Sequence, residues 1–457
     1  MRRPQFLLSA IAASLLSCAS SGYAAVDLRT IYDQAVRNDP QWSAIQNSVK
    51  ADKEAVEKAK SRLLPNVGVS ADITHAKVKQ DYGSGSIFSV LSQIPGVNAS
   101  GVSGNENTVN SKSAGIQAKQ ALFRMEDWYQ YQKAKTLSSQ ADAQLEQEWR
   151  NFALRVAETY LEELRAEDNL ASAKAEEAAV LRQLEQTKQR FDVGLIAITD
   201  VHEAQAIADI TKVNRLVAES QLSVAKEGLE TLTGNPQPQV AQLAAEFPVV
   251  LPQPNSLDEW VQLAKDKSAS LKAAELASAA ATKNLQQAKA AYYPTVDLVA
   301  GVSKADNANY SEGTDLTVKS IGLQFNMPLY TGGAISASTR EARYREAQAK
   351  DNYDYTRRTV LQNTKNLFRI VTMDVDRVSA RKQAITSSDS ALKATRAGYE
   401  VGTRNIVEVL QAERQLYATQ RDYANARYDY VLDSIRLKTV TGILSAQDIE
   451  ELSKWTK

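Results

Sequence analysis

The 457-residue sequence predicts an α+β membrane protein, mostly long α-helices, with four β-strands per chain contributing to a transmembrane β-barrel. Three observations lead there. First, the chain is doubled. The stretch Phe191-Asp192-Val193-Gly194-Leu195-Ile196-Ala197-Ile198-Thr199-Asp200-Val201-His202-Glu203-Ala204 returns 208 residues later, from Tyr399-Glu400-Val401-Gly402 to Gln411-Ala412. That echo runs without a gap to Leu232-Thr233-Gly234 and Val440-Thr441-Gly442. Second, a stretch of about 60 residues without proline or glycine precedes each copy, as only a very long helix requires. Third, short segments ahead of those helices switch from a period near 3.6 to a period of two.

Composition agrees. Charged residues make up 24% of the chain, prolines number 11 and aromatics are 7%, a profile of long helices rather than of several compact domains. Lysine and arginine (54) balance aspartate and glutamate (54), so net charge gives no basis for a nucleic-acid partner. After the leader no run of about 18 apolar residues would make a transmembrane helix.

The leader, residues 1–24, reads as a signal peptide: Arg2 and Arg3, an apolar run from Phe6 to Leu16, then Gly22-Tyr23-Ala24 as a cleavage site. The rival is a lipoprotein box, Leu15-Leu16-Ser17 before Cys18, in which Leu16 is bulky. Cys18 is the only cysteine, so neither reading leaves a disulfide in the mature chain.

Two repeats follow, 25–250 and 251–457, with a proline-rich linker from Asn235 to Asn255. Each opens with a short helix and a longer one (39–63 and 268–290), ended by Pro65 or Pro294. Next come β-hairpins at 66–122 and 295–329. Val67, Val69, Ala71 and Ile73 alternate with Gly68, Ser70, Asp72 and Thr74; Ile321, Leu323, Phe325 and Met327 do the same on a returning strand. Gly/Ser/Asn-rich turns at 81–109 and 306–314 join the strands. Long helices at about 128–190 and 336–396 run to the tips near 191–200 and 399–408. Shorter ones, 197–232 and 405–440, return.

Four strands with one apolar and one polar face make a poor sandwich, because nothing remains to cover the apolar face. In lipid a sheet must close, and four strands cannot close alone. Two copies would give eight strands with a filled interior; three would give twelve around a water-filled lumen, the preferred count. The long helices would extend such a barrel as a hollow tube, or pack as a solid stalk.

The two tips, Arg190 to Val201 and Gly398 to Leu410, resemble those of the outer membrane factor family, the TolC-like channel-tunnels. Leu63-Leu64-Pro65, Pro328-Leu329-Tyr330-Thr331-Gly332-Gly333 and Ala424-Asn425-Ala426-Arg427-Tyr428 extend the likeness over nearly the whole mature chain. The resemblance implies a homotrimer in the bacterial outer membrane, with a twelve-stranded barrel and a helical tunnel reaching into the periplasm. It implies an exit duct for drugs, toxins or secreted polypeptides. Such a duct serves a tripartite efflux pump or a type I secretion system. Its partners are a periplasmic adaptor protein and an inner-membrane transporter of RND or ABC type. A structural envelope spacer with a closed interior is the alternative, and a soluble coiled-coil protein a weaker one.

Gly194 and Gly402 read first as helix C-caps. By resemblance, Val193, Gly194, Leu195, Val401, Gly402 and Thr403 are also where the adaptor docks. Asp200 and Glu408 suit the first turn of a helix, and Asn405 with Glu408 has capping-box spacing. By resemblance, Thr199 and Asp200 accept from Tyr399 and Arg404 in a latch that holds the tunnel end shut; local tethering is the plainer reading. Glu408 and Gln411, three apart, match the family's acidic constriction ring. Gln411 stands where the second acid is usual, which halves the ring's charge and implies modest cation preference. His75 and His202 lack metal-ligand spacing and read as surface residues. No nucleophile constellation, phosphate loop, cofactor motif or metal site is expected, so the chain is not expected to be an enzyme.

Overall fold

The computed structural model describes residues 26–79, 95, 106–236, 239–244, 247–308 and 313–456. The leader with Cys18, most of the 81–109 turn and part of the 306–314 turn lie outside the described residues. Elements run α1 (Leu28–Asn38), α2 (Pro40–Ser61), β1 (Asn66–Lys79), β2 (Glu106–Phe123), α3 (Met125–Asp192), α4 (Ile198–Thr233), α5 (Leu257–Lys267), α6 (Ala269–Ala290), β3 (Thr295–Asp306), β4 (Leu316–Asn326), α7 (Ala334–Glu400), α8 (Ile406–Thr441) and α9 (Ala446–Lys454). The expected helices and strands are present. Helix α9, which the periodicity did not announce, is held by a capping box between Ser445 and Asp448.

The chain forms two compact units, and each sequence repeat contributes to both. One comprises the described parts of Met1–Ser43, Trp149–Val261 and Thr364–Lys457; the other comprises Ala44–Glu148 and Gln262–Asn363.

The second unit carries one antiparallel sheet in the order β1-β2-β3-β4. Its register puts Val69 opposite Ile116, Ile116 opposite Val302, and Leu298 opposite Leu323, so these apolar residues share one face, while Val299, Leu316 and Val318 fall on the other. The shared face is bare: Val69 is 77% exposed, Ile321 77% and Phe325 65%. Burying such side chains is worth about 1.5–3 kcal/mol each, so water is the wrong solvent for them. Among the described residues, β1 and β4 each pair on one side only. At the end of the sheet where the helices begin, Phe123, Trp128, Tyr292, Tyr293 and Tyr330 are exposed alongside Leu64, an aromatic belt of the kind found at a membrane–water boundary.

The polar face holds an ionic staple at that same end. Arg124 donates from Nε and Nη2 to the two carboxylate oxygens of Asp297 at 2.9 and 2.6 Å. Lys119 Nζ lies 3.1 Å from the same carboxylate, which is nearly buried. Proline-free α3 starts immediately beyond. Within this unit Lys133 Nζ donates to Asn284 Oδ1 and Gln287 Oε1 at 3.0 and 2.9 Å, tying α3 to α6.

In the first unit the core gathers on the facing stripe of α3. Phe152 stacks on Trp42, with ring centroids 5.2 Å apart, and meets Tyr32 at 5.8 Å. The 235–255 segment does more than connect. Val26 pairs in parallel with Val240, and Leu243 antiparallel with Thr456. The Tyr160 hydroxyl donates to the Ala241 carbonyl at 2.6 Å. Phe247 stacks between Tyr430 and Trp455. Its prolines suit it to irregular backbone, while its alternate apolar residues clamp it onto α3, α8 and α9.

Candidate functional site at the hairpin tips

The tips belong to the first unit, and both are built by the same turn. After α3, Gly194 takes φ +73°; its amide donates to Phe191 O at 2.8 Å and that of Leu195 to Arg190 O at 2.9 Å. After α7, Gly402 takes φ +80°, with Gly402 donating to Tyr399 O at 3.1 Å and Thr403 to Gly398 O at 2.8 Å. Each pair of bonds is a Schellman cap, closing carbonyls that the helix end would otherwise leave open. A side chain at either glycine would meet no neighbour, so the requirement is conformational. Gly402→Val is expected to strain the turn by about 1–2 kcal/mol. Limited proteolysis should then cut faster near 401–404 while the global unfolding midpoint barely moves.

The returning helices start differently. Asn405 caps α8, its Oδ1 accepting from the Glu408 amide at 2.9 Å, whereas Ala197 offers α4 no side-chain cap. Only half of the expected capping box forms, because the Glu408 carboxylate instead accepts from Arg404 Nη1 at 2.9 Å. Below the turns, Val180 and Leu184 of α3, Ala204 and Ala208 of α4, Leu392 of α7, and Ile406, Val409 and Leu410 of α8 form one apolar cluster. It joins the two hairpins. Tyr399 packs against that cluster, with the Arg190 guanidinium 4.8 Å from its ring centroid.

Val193, Leu195 and Val401 are 70–75% exposed, and Gly194, Gly402 and Thr403 are exposed beside them. Thr199 is exposed and Asp200 half-exposed. Among the described residues, no hydrogen bond within the chain links either of these to Tyr399 or Arg404. The Tyr399 hydroxyl is buried without a partner, and Arg404 pairs with Glu408. Glu408 is partly exposed and Gln411 exposed, one turn apart on α8. Two residues escaped the sequence reading. Gly398 gives room to Arg404, whose Cγ would lie 2.7 Å from a Cβ there. Arg190 sits on Tyr399; only its place at the end of the first tip hinted at it. Among the described residues no group of side chains could hold a metal, and no helix is long and apolar enough to cross a membrane.

A bare-faced, open-edged sheet joined to helices with paired glycine tips defines an outer-membrane channel protein of mixed helix and strand. The family described as outer membrane efflux protein matches residues 31–235 and 260–443, and the chain belongs to it. It is 34% identical to the outer membrane protein TolC of Vibrio cholerae, over 99% of this chain and 98% of that one. It is 25% identical to the proteases secretion protein PrtF of Dickeya chrysanthemi, over 100% and 96%. Among solved structures, the outer membrane protein VceC of Vibrio cholerae superposes with a TM-score of 0.73 at 20% identity, covering 91% of this chain and 96% of that one.

Proposed function

We propose that three copies of the chain form the outer-membrane exit duct of a tripartite efflux pump or type I secretion system. Three four-stranded sheets close a twelve-stranded barrel, the apolar faces toward lipid and the polar faces around a lumen. The single observation that carries this reading is the open sheet: an apolar face bare to solvent and, among the described residues, two unpaired edges. The aromatic belt supports it by marking where such a barrel would leave the bilayer. The relatives named for outer-membrane and protease-secretion roles support it as well.

At the tips, the exposed Thr199 and partly exposed Asp200 are left for a link between neighbouring protomers, and the Tyr399 hydroxyl, buried without a partner inside the chain, would join it once the turn shifts. Arg404, now on Glu408, has a carboxylate to exchange for Asp200. Charge-assisted links of this sort contribute about 1–3 kcal/mol each, less where solvated, enough to latch a gate that a docking partner can release. Val193, Leu195 and Val401 around Gly194, Gly402 and Thr403 offer the apolar rim on which a periplasmic adaptor would seat. The energy then comes from an inner-membrane transporter of RND or ABC type. Glu408 lines the constriction with Gln411, a ring of one carboxylate per protomer and modest cation preference.

Planar-bilayer recording of the purified assembly tests this. Wild type is expected to conduct weakly, and Tyr399→Phe with Arg404→Ser several-fold more. Silence of both proteins would overturn the duct.

A further inference from the structure

The strands carry lysine on the face where it is least expected. By two-residue alternation, Lys77 shares the bare apolar face with Val69 on β1, and Lys112 shares it with Ile116 on β2. Lys304 does so with Val302 on β3, and Lys319 with Ile321 on β4. All four lysines are exposed. The opposite, polar face has one cation among its strand residues, Lys119, which belongs to the staple where the helices begin. Were the lysines there only to be hydrated, the face that water wets would hold them. A cation on the lipid face of a barrel is destabilising except near the edge of the bilayer.

That edge is where the register places them. Lys77 lies opposite Thr108, farther from the helices than Lys112; Lys112 lies opposite Asp306, beyond Lys304; and Lys304 lies opposite Thr317, beyond Lys319. From β1 to β4 the lysines therefore step toward the helices. The strand ends step in the same sense: β1 starts at Asn66, opposite Lys119, whereas β2 runs on to Phe123, opposite Val296. Strands of a membrane barrel tilt by about 35–45°, so one level in the bilayer crosses successive strands in such steps. At that tilt Lys304 and Lys112 stand roughly 20 and 27 Å from the Phe123–Val296 pair beside the aromatic belt, bracketing an apolar band of about 25 Å. Lys319, at roughly 15 Å, has a flexible stem to carry its charge outward. Barrels usually close their apolar band with aromatic side chains at both edges. Among the described strand residues of this face, the edge away from the helices has no Phe, Trp or Tyr and has lysine instead.

We infer that Lys112, Lys304 and Lys319, continued by Lys77, form a cationic stripe that binds the headgroup phosphates of the glycolipid in the outer leaflet; this rests on that part of the exit-duct reading which sets the bare face in lipid. An anion held at the edge of the apolar band, on the lipid side, is a lipid headgroup rather than a soluble phosphate. The stripe lies away from the helices, which reach into the periplasm, so its leaflet is the outward one, whose lipid is phosphorylated on its sugars. Lysine suits it, as a point charge on a long stem that lies along acyl chains while its ammonium meets phosphate. Asp306 stands among the lysines, its carboxylate 4.0 Å from Lys304 Nζ with both side chains more than half exposed, a weak pair that a phosphate displaces. Glu106 stands beyond the stripe, opposite Lys79.

The test titrates the purified full-length assembly in detergent with three probes: bisphosphorylated lipid A, its dephosphorylated form, and phosphatidylglycerol. Native mass spectrometry reads the bound lipid. Wild type is expected to bind the bisphosphorylated lipid about fivefold or more tightly than either of the others. The triple variant Lys112→Gln, Lys304→Gln, Lys319→Gln should lose most of that preference, and arginine at the same three positions should keep it. Lys272→Gln, Lys350→Gln and Lys393→Gln together remove equal charge from exposed lysines of the helices and should leave the preference intact. Equal affinity of wild type for the three lipids, a comparison that needs no variant, overturns the stripe. A glutamine triple that melts and binds like wild type overturns it too, and a wild type that prefers phosphatidylglycerol overturns the glycolipid. Bilayer conductance of the same wild-type preparation separates the two readings. A protein that prefers the bisphosphorylated lipid yet stays silent keeps the stripe and overturns the duct; one that conducts without that preference overturns the stripe alone.

Discussion

Arg124→Ala is expected to destabilise the protein by about 3 kcal/mol, the largest single effect we anticipate outside the apolar core. Asp297 sits on the polar face of β3 with its side chain 4% exposed, and Arg124 meets both of its oxygens in a two-pronged bond. Removing one partner of a buried pair typically costs about 3–5 kcal/mol, because the remaining charge loses its compensation without regaining water. Two facts set the figure at the lower end: Arg124 is itself about one-third exposed, and Lys119 stays 3.1 Å from the carboxylate. Denaturant unfolding in detergent measures it. The double variant Arg124→Ala with Asp297→Asn should be less damaged than the sum of its parts, by about 1 kcal/mol or more, since the stranded charge is then gone. Additive losses would show that the pair does not act as a unit.

The second expectation concerns pH. Asp374 of α7 is wholly buried, with Arg377 Nη2 3.3 Å from its carboxylate and the Asp433 carboxyl close enough to share a hydrogen bond with the protonated form. Burial, with Asp433 and Asp429 adding repulsion, outweighs the attraction of Arg377 and lifts its carboxyl to about 6. In the unfolded chain an aspartate titrates near pH ~3.9. The folded protein therefore binds this proton more tightly than the unfolded chain does. The stability that the proton contributes is full below about pH 4 and is lost as pH rises through about 6. Two pH units correspond to about 2–3 kcal/mol. Asp374→Asn, which cannot ionise, should match wild type near pH 4.5 and exceed it by about 2 kcal/mol at pH 8. The difference between unfolding midpoints at pH 4.5, 6 and 8 reads this directly. A gap that stays constant with pH would assign the effect to packing.

Much of this protein was legible because its signals are long. Alternation over Val67 to Ile73 and over Ile321 to Met327 located two edge strands, and Pro65 and Pro294 located where helices stop. The absence of proline and glycine located α3, and α7 up to its last turn. The glycine turns were legible twice, since the duplication printed them twice. What escaped depends on contacts distant in sequence. The role of Gly398 lies in the space it leaves for Arg404, six residues on. The 235–255 segment looked like a loose connector because prolines dominate it. Its hold on Val26 and Thr456, separated by hundreds of residues, has no local signature. The partner of Arg404 within the chain, Glu408, was open to helix spacing, yet the likeness to known tips directed attention to Asp200 instead. Helix α9 is nine residues long, too short for periodicity to outweigh its flanks, although Ser445 and Asp448 spelled its beginning.

Duplication would have made the two tips twins, yet Ala197 and Asn405 now begin their returning helices on unequal terms. An amide-capped start holds its first turn more firmly than an alanine start, by about 1 kcal/mol. A threefold assembly would therefore present its visitor with six knuckles of two kinds in alternation, three stiff and three yielding. A partner pressing evenly on that ring would be met unevenly, and the first turn to fray would be the one beginning at Ile198.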